Sequence, residues 1–212
     1  MSVSDPSHWN AVYSEKGEAQ TSWFRPHLDE SLRLIDGLHL PLSSALLDVG
    51  GGRATLVDDL LARGFGEVSV LDLSDAALTE SRQRLGTQAS AVQWLVGDVT
   101  AVELQAAHYV LWHDRAVFHF LTAPVAQAAY VAAATRAVRA GGYIVIGTFA
   151  EDGPTQCSGL AVARYDVETL AAMFAPAFEK ISSSRDVHRT PAGNEQAFTY
   201  VVLRRRDDGT SA

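Results

Sequence analysis

Residues 46–55 read Leu-Leu-Asp-Val-Gly-Gly-Gly-Arg-Ala-Thr, and this stretch predicts the fold of the chain. An apolar run of strand type ends in Asp48-Val49, three glycines follow, and the leucines at 56, 60 and 61 begin a helical pattern. Glycines between a buried strand and a helix let the backbone approach a ligand that a Cβ atom would exclude. Because the carboxylate of Asp48 would repel a pyrophosphate, the loop favours a cationic or hydroxyl-bearing ligand.

Strand and helix patterns alternate along most of the chain. Strands are predicted at 46–50, 67–72, 92–97, 108–112 and 143–149, and helices at 53–63, 75–85 and 124–139. Beyond residue 150, a short helix at 166–174 precedes two strand-like stretches, 177–188 and 196–206, which flank a turn. This order predicts an α/β fold: a doubly wound Rossmann-like sheet of about seven strands, mostly parallel, with a C-terminal antiparallel hairpin.

We expect residues 1–212 to form a single domain with an N-terminal extension (1–40), a Rossmann-like core (41–206) and a tail (207–212). The extension is predicted to contain a short helix that places Trp9 and Tyr13 on one face, followed by Trp23 and an amphipathic helix over 26–38. The aromatic side chains either pack on the domain surface or form a lid over a ligand, and the pattern leaves both interpretations open.

The composition is that of a protein with a buried core. Apolar residues make up 47% of the 212 residues and charged residues 20%, which argues against general disorder. The net charge of −8 provides no broad basic field for nucleic acid or anionic lipid. A single cysteine, Cys157, excludes an internal disulfide and a multi-cysteine metal site. Without an apolar run of about 18–20 residues or a secretion signal, we expect a soluble, cytoplasmic protein without a metal site.

Acidic residues are predicted to meet at the carboxyl ends of neighbouring strands, where open α/β sheets bind their ligands. Asp48 ends the first strand. Asp72 ends the second, beside Leu73, and its carboxylate suits the vicinal hydroxyls of a ribose. Asp98 follows the third strand, where it suits an exocyclic amine, and Val99 suits a purine face. With the glycine loop, these acids favour a positively charged nucleoside over a dinucleotide, and the glycine spacing does not match that of a dehydrogenase.

These motifs resemble those of the class I S-adenosylmethionine-dependent methyltransferases over about residues 8–206. The resemblance depends on residues 47–54, Asp72, Gly97-Asp98 and the terminal hairpin. One departure is Ala54, which stands where the usual glycine string has its third glycine. The opening aromatic residues and the Trp112–Ala116 segment narrow the resemblance to the branch of thiopurine methyltransferase-like enzymes and small lysine methyltransferases with a Trp-x-x-x-Tyr opening.

The resemblance implies S-adenosylmethionine as the cofactor and assigns its contacts. The N-terminal aromatic residues would help to cover the cofactor, and Gly50 would contact its methionine part. Asp72 and Leu73 would contact the ribose, Asp98 and Val99 the adenine, and His113 would lie near the methyl donor. The complete expected set is Trp9, Tyr13, Trp23, Asp48, Gly50, Gly52, Asp72, Leu73, Asp98, Val99 and His113.

His113 and Asp114, both predicted at the pocket edge, are the candidates for a catalytic base. A base is needed only if the nucleophile arrives protonated, and histidine, with a pKa of about 6.5, titrates near neutral pH. His113 is equally well interpreted as a contact to cofactor or substrate, and Asp114 as part of a local ion pair with Arg115.

Other polar residues are assigned with less basis in the pattern. His119, on an apolar segment, is interpreted as a packed histidine. Cys157 and Arg164 belong to a loop that is expected to face the substrate. His188 is interpreted as a solvated turn residue, with substrate contact as the alternative.

Three functions are compatible with these features. The first is methyl transfer to a small molecule through a sulfur, nitrogen or chalcogen nucleophile. The second is a protein lysine methyltransferase, and the third is a non-enzymatic module that binds adenosylmethionine. Asp48, Asp72 and Asp98 support cofactor binding in all three, so the sequence determines neither the methyl acceptor nor the oligomeric state.

Overall fold

The computed structural model describes residues 6–15 and 21–207. Its helices are α1 (Pro6–Glu15), α2 (Asp29–Asp36), α3 (Leu56–Ala62), α4 (Asp75–Leu85), α5 (Pro124–Ala137) and α6 (Val167–Met173). Its strands are β1 (Ala45–Val49), β2 (Glu67–Asp72), β3 (Val92–Val96), β4 (Tyr109–Arg115), β5 (Val138–Phe149), β6 (Gln156–Cys157), β7 (Leu160–Ala161), β8 (Phe178–Arg189) and β9 (Glu195–Arg205). Within these ranges, no helix is both long and apolar enough to cross a membrane.

Seven of the strands form one sheet in the order β3-β2-β1-β4-β5-β9-β8. Strands β1 to β5 pair in parallel, whereas β9 is antiparallel to β5 and β8 is antiparallel to β9. A small separate hairpin is formed by β6 and β7. The predicted fold class is confirmed.

Local sequence signals, such as N-cap residues and apolar alternation, predicted the bounds of some helices and strands correctly. The predicted bounds of β2 and α4 match the structure, and Ser74 Oγ accepts a hydrogen bond from the Ala77 N–H as the N-cap of α4. Helix α3 begins at Leu56 rather than at residue 53, because the glycine loop continues in a turn that joins the Ala54 N–H to the Gly51 carbonyl.

Strands β4 and β5 are longer than predicted. Strand β5 begins at Val138 and passes through the two glycines at which a break was expected. Gly141 has a φ of +70°, and a Cβ atom on Gly142 would lie 2.8 Å from Val138 Cγ1, so the glycines let the strand bend without ending. Strand β4 continues to Arg115, three residues past the expected end, which places His113 and Asp114 inside the sheet.

The sheet lies between two apolar layers. Leu46 and Leu111 pack in the layer that contains α1 to α4, and Leu47 and Trp112 pack in the layer that contains α5 and α6. Successive residues of a strand point to opposite faces. His113 therefore shares a face with α1 to α4, whereas Asp114 faces α5.

Candidate active site

A two-lobed cleft lies at the carboxyl ends of β1, β2, β3 and β4. The large lobe contains about 880 Å³ of space, part of it open to solvent, and the adjoining small lobe contains about 540 Å³. Of the sequence-predicted residues, the large lobe is lined by Trp9, Tyr13, Trp23, Gly50, Asp72, Leu73, Asp98 and Val99. The small lobe is lined by Tyr13, Trp23, Asp48, Gly50 and His113. Gly52 and Asp114 line neither lobe.

The glycine loop approaches its neighbours too closely for side chains. Gly50 has a φ of +70°, and a Cβ atom there would lie 2.0 Å from Val117 Cγ2. Gly52 has a φ of +38°, and a Cβ atom there would lie 2.7 Å from the Tyr13 hydroxyl oxygen and 2.9 Å from Asp72 Oδ2. Gly52 thus lies directly behind two lining residues, and the loop needs glycine at both positions.

Asp72 is a buried carboxylate at the centre of the large lobe. Its Oδ1 atom accepts a hydrogen bond of 2.8 Å from the Ser74 N–H. Burial raises the pKa of Asp72 to about 7, and the nearby charge of Asp48 adds to the rise. A ligand that donates hydroxyl hydrogen bonds or carries positive charge would favour the ionised form. Both properties belong to S-adenosylmethionine.

Asp98 is oriented by its own turn at the far side of the large lobe. Its Oδ1 atom accepts hydrogen bonds from the Thr100 N–H at 2.8 Å and the Thr100 hydroxyl at 2.7 Å. Val99, which is buried beside it, and Leu73 give this part of the lobe apolar walls. An acid next to apolar walls fits a purine base with an exocyclic amine.

The small lobe contains one anionic and one cationic side chain, each with an atom that makes no hydrogen bond to the described residues. Asp48 Oδ2 and Arg115 Nη2 are both buried and have no hydrogen-bond partner among the described residues. Arg115 donates from Nη1 to the Trp23 carbonyl at 3.3 Å, and its guanidinium lies 4.5 Å from the centroid of the Phe198 ring. Because one atom is anionic and the other cationic, the pair complements an α-amino-acid zwitterion such as the methionine end of the expected cofactor.

His113 reaches the small lobe, but both of its ring nitrogens are engaged. Its Nδ1 atom lies 2.7 Å from Asp48 Oδ1, and its Nε2 atom lies 2.9 Å from Ser31 Oγ. The side chain is 2% exposed and does not line the large lobe. As a candidate base it is therefore occupied, and it lies beneath the cleft rather than at its edge.

Asp114 does not lie at the pocket edge, and that prediction is wrong. It is fully buried and accepts hydrogen bonds from the Tyr130 hydroxyl at 2.5 Å, the Val117 N–H at 2.9 Å and the Phe118 N–H at 3.0 Å. It forms no ion pair with Arg115, because β4 continues through both residues and directs them to opposite faces. Burial raises the pKa of Asp114 to about 6.

The N-terminal aromatic residues both pack in the core and line the cleft. Trp9 and Tyr13 are buried, and Trp23 is half-buried. The Trp23 ring lies 6.4 Å from the Trp9 ring and 6.1 Å from the Tyr13 ring, and Trp9 packs on Phe120 at 5.0 Å. The two interpretations of these residues therefore do not exclude each other.

The segment of residues 21–26, here called the strap, is attached to the C-terminal hairpin. His188 Nε2 lies 2.7 Å from the Ser22 carbonyl oxygen, and Arg25 Nε donates to His188 Nδ1 at 2.9 Å. Arg25 also forms a 2.8 Å ion pair with Asp186. Burial and the charge of Arg115 lower the pKa of His188 to about 4, so the ring is neutral and can accept from Arg25. The expectation of a solvated turn residue at His188 is wrong, because the side chain is buried. The sequence did not indicate this, since Arg25 is 163 positions away and no local pattern predicts the contact.

The remaining wall of the large lobe is mainly apolar and was not predicted, apart from Cys157. It is formed by Val117, Phe120, Leu121, Phe149, Cys157, Gln196 and Phe198. Arg164 is exposed and does not line the cleft. His119 is packed in the core as expected, where its Nδ1 atom accepts from the Phe149 N–H, and burial lowers its pKa to about 3. Among the described residues, no histidine lines the large lobe.

Comparisons with known proteins agree with this geometry. Residues 46–142 match the family model described as a methyltransferase domain. The human protein EEF1A lysine methyltransferase 2 is 23% identical over 153 residues, which cover 66% of this chain and 65% of that protein. The chain therefore spans less than two thirds of the length of this curated relative.

Two solved structures share the fold over nearly the whole chain. One comes from work on the conversion of a disulfide bond into a thioacetal group during echinomycin biosynthesis; its TM-score is 0.81, at 18% identity, over 98% of this chain and 95% of that one. The other is 1,6-didemethyltoxoflavin-N1-methyltransferase from Burkholderia thailandensis, with bound 1,6-didemethyltoxoflavin and S-adenosylhomocysteine. Its TM-score is 0.71, at 23% identity, over 95% of this chain and 84% of that one.

The matches support the predicted class. Residues 46–142 match a methyltransferase domain, and the whole fold is shared with a methyltransferase whose structure contains S-adenosylhomocysteine. The narrower thiopurine methyltransferase-like branch is not shown. The acceptor is not shown either, because the matches include a lysine methyltransferase and an enzyme named for a different acceptor.

Proposed function

We propose that this protein transfers a methyl group from S-adenosylmethionine to a small, largely apolar molecule through a sulfur, nitrogen or chalcogen nucleophile. The observation that carries the proposal is a single cleft in which a polar, acid-lined half adjoins a wall of phenylalanines. The cofactor, when bound, supplies an electrophilic methyl group on a sulfonium. The chain's own contribution is then to bind, to orient and to exclude water.

The polar half of the cleft provides a contact for each part of the cofactor. Asp72 and Leu73 would hold the ribose, and Asp98 and Val99 the adenine. Gly50, which lines both lobes, leaves the space at the bend between them, and Gly52 lies behind Tyr13 and Asp72. Asp48 and Arg115 would hold the methionine end, and Trp9, Tyr13 and Trp23 would cover the bound molecule. The burial of Asp72, Asp48 and the two N-terminal aromatic residues supports these roles.

The apolar wall favours a flat acceptor that reacts without a protein base. Phe120, Phe149 and Phe198 present aromatic surface, with Cys157 and Gln196 as the polar exceptions. Aromatic walls hold a planar ligand by stacking and edge contacts. The acids that line the large lobe are Asp72 and Asp98, which we assign to the cofactor. The nucleophile would therefore react as a neutral or already ionised group, held in line with the methyl group.

A protein lysine methyltransferase is the second candidate, and the similarity to EEF1A lysine methyltransferase 2 favours it. Against it, the described residues that line the large lobe offer a lysine ammonium no carboxylate besides Asp72 and Asp98, which are assigned to the cofactor. A cationic side chain would have to lose its proton before it entered this wall.

Incubation with methyl-labelled S-adenosylmethionine tests these functions. The acceptors are a panel of thiols, aromatic nitrogen heterocycles and selenite, with cell lysate in a parallel reaction. Label in a small molecule supports the proposal, whereas label confined to protein bands supports the second candidate. If the protein binds the cofactor in calorimetry but labels nothing, it is a binding module, and the proposal is wrong. Asp72→Ala, which should not bind the cofactor, is the negative control.

A further inference from the structure

Three buried polar side chains from three elements form one hydrogen-bonded chain beneath the small lobe. Ser31 of α2 lies 2.9 Å from His113 Nε2, and His113 Nδ1 lies 2.7 Å from Asp48 Oδ1. The exposed fractions of Ser31, His113 and Asp48 are 0%, 2% and 3%. His113 and Asp48 are also cross-strand partners of β4 and β1, so the sheet register holds them together.

The donors and acceptors of this chain run in one direction. An ionised carboxylate only accepts hydrogen bonds, so the proton of a neutral His113 must be on Nδ1, which donates to Asp48. His113 Nε2 then accepts from the Ser31 hydroxyl. The residue types are those of a hydrolytic Ser-His-Asp triad. Because Ser31 is fully buried, however, no substrate can reach it, and the chain is not a nucleophile and its base.

The hydrogen bonds among Ser31, His113 and Asp48 leave one carboxylate oxygen of Asp48 without a donor. Oδ2 is buried and has no hydrogen-bond partner in the described part of the chain. A Cβ atom on Gly51 would lie 2.6 Å from Oδ2, so the glycine keeps the loop from covering this oxygen with a side chain. A buried carboxylate oxygen without a hydrogen-bond partner is unfavourable unless a donor, such as a cation, arrives to pair with it. The small lobe, which Asp48 and His113 both line, is where that cation would bind.

We propose that Ser31 and His113 are positioning residues that hold Asp48 so that Oδ2 accepts a hydrogen bond from the α-ammonium group of the cofactor. The inference rests on the proposed function, because it needs a ligand that carries an ammonium group in the small lobe. It also changes the role of His113 from a base near the acceptor to a support for cofactor binding. Helix α2, which begins at Asp29, is thereby linked to Asp48 at the end of β1.

Calorimetry with two ligands tests the role of the ammonium group. Asp48→Asn should bind S-adenosylmethionine about tenfold or more weakly, since hydrogen bonds to charged groups have about this effect. The same variant should bind a cofactor analogue without the α-amino group as well as the natural protein does. If Asp48→Asn weakens both ligands by the same factor, the oxygen does not bind the ammonium group and the proposal is wrong.

Variants of the two positioning residues test the hydrogen-bonded chain of Ser31, His113 and Asp48, here called the relay. His113→Ala should weaken cofactor binding about tenfold, and His113→Asn, which keeps a donor near the position of Nδ1, should restore most of the affinity. Ser31→Ala should have a smaller effect of about threefold. Ser69→Ala is the matched control, because Ser69 is a buried serine that donates to Gln93 and is absent from the cleft. Equal affinity of His113→Ala and the natural protein would overturn the proposal.

Nitrogen-15 NMR of the histidine rings tests the relay without any ligand. The expected spectrum shows His113 with its proton on Nδ1, assigned by comparison with His113→Asn. A neutral ring with its proton on Nε2 alone would overturn the inference, because Nδ1 could not then donate to Asp48. If the natural protein binds no S-adenosylmethionine, the proposed function fails, while the ring spectrum still decides whether the relay exists. If His113→Ala does not fold, His113→Asn and the spectrum keep the test complete.

Discussion

Asp72 is a residue whose burial opposes stability in the free protein and whose proposed role is to bind the cofactor. Its folded pKa of about 7 lies above the ordinary value of 3.8. A raised carboxyl pKa means that its favourable contribution to folding is complete below about pH 4 and is lost as the pH rises through about 7. The ionised carboxylate is nevertheless the form that would accept from the two ribose hydroxyls of the proposed cofactor.

Asp72→Asn should therefore improve the stability of the free protein at neutral pH and weaken its binding of the cofactor. The free variant should lose less stability than the natural protein between pH 5 and pH 8, measured by thermal unfolding, because the amide does not ionise. Calorimetry at pH 8 should show cofactor affinity reduced at least about tenfold, because a charged acceptor is lost. Parallel pH profiles of the two proteins would show that Asp72 does not titrate in this range.

Asp114 belongs to the core, and its substitution should affect folding rather than chemistry. Asp114→Ala would leave the Tyr130 hydroxyl and two backbone N–H groups without their acceptor. We expect the free energy of unfolding to fall by about 3 kcal/mol, measured by urea denaturation. Cofactor affinity of the folded fraction should stay within about threefold. Natural stability with abolished methyl transfer would instead restore Asp114 as a base.

At the level of elements, the strap and the C-terminal hairpin act together over the cleft. The strap places Trp23 over both lobes, and the hairpin holds the strap through His188 and Asp186. Because Trp23 lines both lobes, we expect a bound cofactor to leave this cleft only after the strap moves. The contacts that attach the strap should therefore control the dissociation rate of the cofactor.

His188→Ala should raise the dissociation rate of S-adenosylhomocysteine by at least about five- to tenfold, because the strap loses its hydrogen bonds through Ser22 and Arg25 to the ring. The rate can be followed by tryptophan fluorescence in a stopped-flow displacement experiment. Arg189→Ala is the control, because Arg189 is the next residue of β8 and its side chain is 73% exposed. Identical rates for His188→Ala and Arg189→Ala would mean that the attached strap does not limit release.

At the level of the whole molecule, the cleft joins parts of the chain that are far apart in sequence. Its lining includes Trp9 of α1, the glycine loop, the end of β4 and Gln196 of the hairpin. A ligand that contacts them stabilises the folded state by mass action, since the unfolded chain has no such cleft.

S-adenosylhomocysteine at 100 times its Kd should add about 2.7 kcal/mol to the free energy of unfolding. For a domain of this size, that corresponds to a rise in Tm of about 5–10 °C in calorimetric scans. Hydrogen exchange should slow most in the strap and in residues 186–196, and least in α5 and α6. Asp72→Asn at the same ligand concentration should show a much smaller shift, and an equal shift would place the ligand elsewhere.

The accuracy of the sequence predictions followed how local each signal was. Strand β2 and helix α4 matched because an apolar alternation, Ser74 as N-cap and Gly86 as terminator all lie within 20 residues. The lining acids Asp48, Asp72 and Asp98 were found because the carboxyl ends of parallel strands meet at one edge. The end of β4 was missed because a strand that continues into polar residues has no local stop signal.

The sequence by itself determined the sheet, the glycine loop and the acids that line the cleft, since strand periodicity, turn residues and strand order encode them. Only the tertiary structure decided that Asp114 faces α5, that His188 holds the strap through Arg25, and that Ser31 and His113 support Asp48. Each of these depends on a hydrogen bond between residues distant in the chain or on the face to which a strand residue points. Such contacts are set by packing, and packing leaves no periodic trace in the sequence.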